Sequence, residues 1–166
     1  MDIDRSLFLR GNRALGLALV QAGLLTQQNL DLANAKLIDC VRADKLKGNG
    51  LLPILTHEMN VLSETQLLQH QVAECGLGLI DLGGYQVRPG PGVDAGACWA
   101  TWSMPIDERE GIRFMASAYY MSHPVRAYWE QLLGGNMVWY AVSLQGMIEA
   151  IEHLEAQSGA AAATAK

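Results

Sequence analysis

The chain has 166 residues, 50% of them hydrophobic and 17% charged, enough apolar material to bury a core as one domain or two small subdomains. Its net charge of −5, with no basic cluster interleaved with aromatics, argues against nucleic acid as a partner, because phosphate neutralisation supplies most of that affinity. No apolar run approaches the roughly 20 residues that span a bilayer, and the start Met1-Asp2-Ile3-Asp4 is acidic where a signal peptide is basic. Cys40, Cys75 and Cys98 form no C-x-x-C pair, so a disulfide framework or zinc knuckle has no support, and the expected location is cytoplasmic without direct membrane insertion.

Residues 13–75 carry apolar positions at three- and four-residue intervals broken by turn residues, which predicts about four short helices. Leu15, Leu19 and Leu24 form the first stripe, Gly23 closes that helix as a left-handed cap, and Thr26 caps the next, whose face uses Leu30, Ala33 and Leu37. Residues 45–50 are a loop. A third helix covers about 51–58 with Pro53 in its first turn, and Ser63 with Gln66 makes a capping box for a fourth ending near Cys75. The two helix pairs are alike, giving an approximate repeat of about 36 residues with one extra residue in the second copy.

From residue 77 the character changes. Residues 77–82 suit a short strand, and 83–96, with five Gly and two Pro, mark a loop and a subdomain boundary. The β-prone runs 98–104 and 112–120 are expected to pair across the polar turn 107–111. A helix follows from His123-Pro124 to about Leu133, Gly134-Gly135 ends it, residues 137–142 form a third strand, and Ser143 caps a helix to about Ala156. The Ala-rich stretch 158–166 is expected to be a flexible tail. The expected architecture is α+β: a helical layer over 1–82, the loop 83–96, and an α+β part over 97–157 with a three-stranded sheet and two helices.

The motif Leu15-Gly16, Leu19, Gly23, Thr26 resembles the L-G-x-x-L-x-x-x-G-x-x-T opening of the N-terminal domains of type II secretion and type IV pilus assembly ATPases. A second degenerate copy follows, then Gly78-Leu79-Ile80-Asp81-Leu82 in the place of that family's short strand, Met104-Pro105-Ile106 before a polar turn, and Ser122-His123-Pro124 where the family has A-D-P. The resemblance covers roughly residues 13–155. It implies a non-catalytic interaction or regulatory domain that docks on a component of a bacterial envelope machine serving secretion, pili or exopolysaccharide. The implied partner is an inner-membrane platform protein or a glycosyltransferase, with peripheral placement at the inner membrane through it. No G-x-x-x-x-G-K-[ST] phosphate loop occurs, so ATP turnover of that family's kind has no cradle here, and neither enzyme activity nor a cofactor is expected.

Some domains of this family bind cyclic di-GMP through two copies of an extended motif, which implies Arg13, Leu15, Gly16, Leu19 and Gly23 as an alternative ligand site. Here the motif is decayed: Ala14 stands where Arg is wanted, Asn34 and Leu37 replace a Leu and a Gln, and Leu52 replaces the Gly of the second copy. Core packing is therefore the preferred reading of these leucines, with cyclic di-GMP kept as the alternative. His57, His70, His123 and His153 show no i, i+4 pairing with one another, which gives no metal site. No G-x-S-x-G elbow surrounds a serine. The adjacent pairs Tyr119-Tyr120, Tyr128-Trp129 and Trp139-Tyr140 must each send their rings to different faces. This predicts an exposed aromatic patch for protein contact using Tyr120, Tyr128, Trp129 and Trp139.

Overall fold

The structure is a computed structural model that describes residues 2–164. Helix α1 (Arg5–Gln21) starts before the predicted stripe, because Asp4 caps it by accepting from the Leu7 N–H at 3.0 Å. Its buried side runs through Leu7, Phe8, Gly11, Asn12, Leu15, Gly16 and Leu19. Gly23, at φ +75°, ends it as expected: the Gly23 N–H donates to the Val20 carbonyl and the Leu24 N–H to that of Leu19, both at 3.0 Å, the paired bonds of a Schellman cap. Helix α2 (Gln27–Arg42) is capped by the Thr26 hydroxyl, 3.2 Å from the Asn29 N–H.

The second helix pair repeats this plan with one alteration. Helix α3 (Leu51–Pro53) runs directly into a π-helical turn, Ile54–Glu58, marked by the Met59 N–H donating to the Ile54 carbonyl at 2.8 Å. A π turn holds one residue more than an α turn, and so houses the extra residue of the second copy. Asn60, at φ +54°, then takes the left-handed place of Gly23, and the Val61 N–H returns to Leu55 as Leu24 returns to Leu19. Ser63 caps helix α4 (Glu64–Ala73) in the manner of Thr26, at 3.3 Å from the Gln66 N–H.

Strand β1 (Gly78–Leu79) leads into a short 3₁₀ turn, Leu82–Gly84, and an extended loop. The loop lies along the sheet edge, where the Arg88 N–H donates to the Ile106 carbonyl at 2.8 Å. The structure then departs from the sequence reading. Residues predicted to begin a strand at Cys98 form helix α5 (Ala95–Thr101), capped by Asp94 at 3.1 Å from the Gly96 N–H and 3.3 Å from that of Ala97. Gly96 to Thr101 are all buried, so the helix shows no alternation between faces, and its aromatic content reads as β. Trp102, at φ +49°, turns the chain into strand β2 (Ser103–Arg109).

Strand β3 (Ile112–Ser117) follows after only Glu110 and Gly111, at φ +52° and +77°. Two positive φ values define the type I′ hairpin turn that matches strand twist, so the polar residues Asp107 to Arg109 belong to the strand and not to a longer turn. Helix α6 (His123–Leu133) crosses to strand β4 (Asn136–Ala141), parallel to β3, and helix α7 (Leu144–Thr164) closes the described chain, its N-terminus held by Ser143. The predicted stop near Ala156 is passed because the Ala-rich run has the highest helix propensity, although it is fully exposed.

The α+β class stands, with a sheet of four strands instead of three: β1 joins it in the order β1-β4-β3-β2, through the pairs Gly78 with Tyr140 and Leu79 with Ala141. One hydrophobic cluster runs through the helical layer and the sheet, from Leu7 and Phe8 to Ile151 and Leu154. No helix among the described residues is long and apolar enough to cross a membrane.

Candidate functional site

The motif residues of the first helix pair divide between core and surface. Leu15 and Leu19 are 0% exposed and Gly16 is buried, whereas Arg13 and Gly23 are exposed. Gly16 is the point at which the two copies interlock: a Cβ there would lie 2.5 Å from Leu30 Cδ1 of the first copy and 3.0 Å from Leu51 Cδ2 of the second. The leucines that resemble a ligand platform thus press on one another.

Behind this layer sits a buried polar clamp that no sequence pattern announces. Asn12 Oδ1 accepts from the Leu51 N–H at 2.7 Å and from the Tyr119 hydroxyl at 2.8 Å, while the Asn12 amide donates to the Phe8 carbonyl at 2.8 Å. The Tyr119 oxygen in turn accepts from the Leu52 N–H at 3.2 Å. Two free N–H groups at the start of α3 are therefore satisfied by side chains from α1 and from the segment after β3. Burial pushes the Tyr119 phenol up, which keeps it a neutral donor. Gly50 passes so close that a Cβ would lie 2.5 Å from the Tyr119 oxygen and 3.0 Å from Trp102 Nε1.

The four aromatics proposed for protein contact occupy different environments. Trp129 is 0% exposed, donates through Nε1 to Thr101 Oγ1 at 3.0 Å, and forms no part of the surface. Trp139 is 9% exposed and meets Tyr120 edge to face at 6.0 Å, while Tyr120 and Tyr128 are half-buried. Over the Tyr120 ring lies the guanidinium of Arg126, 4.8 Å from the centroid. Sequence reasoning missed Arg126, since an isolated arginine early in a helix carries no pattern.

Two further surface features stand near the sheet. Phe114 and Tyr140, 6.3 Å apart, lie beside the exposed Leu79 and Val138. At one edge the Tyr85 hydroxyl donates to Asp107 Oδ2 at 2.9 Å, and Arg109 Nε approaches the same oxygen at 3.0 Å. These bonds, that of Tyr85 foremost, hold the Asp107 carboxyl below its usual range. A groove of about 400 Å³ separates this loop from α7 and is lined by Tyr85, Met104, Glu149 and His153. Glu149 and His153 are hydrogen-bonded to Gln145 and Gln157 on their own helix.

This arrangement of a duplicated helical layer on a small mixed sheet is the fold of secretion-ATPase N-terminal domains. Two crystal forms of the N-terminal domain of XpsE match it at 19% identity: one with TM-score 0.54, covering 81% of this chain and 90% of that one, the other with TM-score 0.55, covering 86% and 94%. MshE, solved with cdg, matches at TM-score 0.51 and 21% identity over 84% of this chain and 96% of that one. No protein-family model and no curated protein matches the sequence.

Proposed function

We propose that this chain is a non-catalytic docking and regulatory domain of a bacterial envelope machine. Its partner is the cytoplasmic part of an inner-membrane platform protein or of a membrane glycosyltransferase. The observation that carries this reading is the fold shared with XpsE and MshE over more than four-fifths of the chain. Those neighbours are N-terminal domains of ATPases and not their catalytic domains, and the 166 residues contain no phosphate loop. In this role the domain works in the cytoplasm and reaches the inner membrane through its partner. Chemical cross-linking in cells followed by affinity capture is expected to recover a secretion, pilus or polysaccharide component of the inner membrane. Recovery of soluble proteins alone would remove the reading.

A second reading, a cyclic di-GMP receptor, is favoured by the likeness to MshE solved with cdg, which reopens a ligand that the decayed motif sets aside. Against it stand the enclosed Leu15, Gly16 and Leu19 and the absence of an arginine at position 14. Calorimetric titration with cyclic di-GMP is expected to give no saturable heat. A one-to-one isotherm abolished by the Arg13→Ala change would reverse the preference.

A further inference from the structure

Helix α7 sets one carboxylate against an aromatic ring from another element and places a second in a groove beside another such ring. The first is filled. Glu155 Oε2 accepts from Lys47 Nζ and its Oε1 from Trp99 Nε1, both at 2.8 Å, and the Lys47 ammonium lies 5.8 Å from the centroid of the Trp99 ring. A carboxylate and an aromatic side chain thus hold a basic side chain between them. The second is open. Glu149 lines the groove of about 400 Å³ between α7 and the loop 82–89, with Tyr85 in the same lining. Among the described residues its carboxylate accepts from Gln145 of its own helix at 2.8 Å and pairs with no cation.

The rest of the groove defines what an occupant brings. Its floor is apolar, with Met104 at 0% exposed and Leu82 and Leu154 buried, and suits an aliphatic stem. The wall opposite α7 is held in place: the Tyr85 hydroxyl donates to Asp107 Oδ2 at 2.9 Å, and the Arg88 N–H to the Ile106 carbonyl at 2.8 Å. His153, the other titratable group in the lining, is hydrogen-bonded to Gln157 at 2.9 Å. No lysine or arginine lines the groove, so an anion finds no fixed counter-charge there, and the net charge of −5 favours a cation. An arginine or lysine side chain meets both demands, its stem over the floor and its charged head at Glu149.

We propose that the groove between α7 and the loop 82–89 receives a basic side chain of the docking partner, with Glu149 as its counter-ion. This site rests on the docking reading and names the chemistry that the partner presents. Its test needs no partner. The Met104 methyl resonance of the full chain, labelled with ¹³C at the methionine methyl groups and assigned with Met104→Leu, is followed during titration with acetyl-arginine amide. Acetyl-citrulline amide, which has nearly the same shape without the charge, and acetyl-glutamate amide serve as parallel arms.

The Met104 methyl is expected to move saturably with the arginine compound and to stay still with the other two. Glu149→Gln keeps the shape of the side chain and removes its charge, so it should abolish saturation, with the other methionine methyls reporting that the variant is folded. An absent response, an equal response to arginine and citrulline, or one that survives Glu149→Gln would overturn the site. Self-association of the chain that Glu149→Gln abolishes would also overturn it, since the occupant would then be a second copy. Cross-linked capture separates the two readings. If wild type and Glu149→Arg recover the same envelope component equally, docking stands and this site falls; if neither recovers one while the titration saturates, the groove for a basic side chain stands and docking falls.

Discussion

Replacing Trp129 with alanine is expected to lower the free energy of unfolding by about 3–5 kcal/mol, the range for deleting a large aromatic from a core. The ring is fully enclosed, meets Tyr128 edge to face at 5.2 Å, and satisfies Thr101, whose own hydroxyl donates to the Ala97 carbonyl at 2.8 Å. Removing it leaves a cavity between α5 and α6 and takes a donor from a buried hydroxyl. Urea denaturation measures the change, and a loss below about 1 kcal/mol would mean that the ring is at the surface. Trp129→Phe keeps most of the volume and forfeits the hydrogen bond, so its loss should be clearly smaller.

The second large effect belongs to Asn12. Asn12→Ala strips the acceptor from the Leu51 N–H and from the Tyr119 hydroxyl, both buried. Each orphaned group costs about 1–3 kcal/mol, which predicts a loss of about 3 kcal/mol in the same denaturation assay. Tyr119→Phe breaks the clamp from the other side, removing the donor to Asn12 and the acceptor for the Leu52 N–H. Because the two residues share one network, the double variant should lose less than the sum of the single changes. Additive losses would show that the groups act separately.

Local chemistry made the helical layer legible in advance. Thr26, Ser63 and Ser143 each cap the helix that follows them, and Gly23 takes the left-handed conformation that only its surroundings in sequence demand. Even the surplus residue of the second repeat was countable, although its form as a π turn was not. Where packing decides, sequence patterns misled. Helix α5 is buried on all sides and so has no stripe; the short strand expected within 77–82 is present, but its pairing with β4 as a fourth strand has no local signal. Adjacent aromatics do diverge, but which ring enters the core depends on the element facing it, as Thr101 faces Trp129. The groove beside Glu149 answers to no motif, because the loop 82–89, β2 and α7 each supply a part of it.

The Asn12 to Tyr119 hydrogen bond joins residues 107 positions apart, and the Ser122 hydroxyl reaches the Gly11 carbonyl across 111. Contacts of such separation form only after long loops have closed, so they accompany late events in folding. A chain leaving the ribosome completes α1 well before Tyr119 and Ser122 exist to receive it. Until then the side of α1 at Gly11, which faces Val125 of α6, is uncovered, and a helix made well before the residues that anchor it is among the last to be secured.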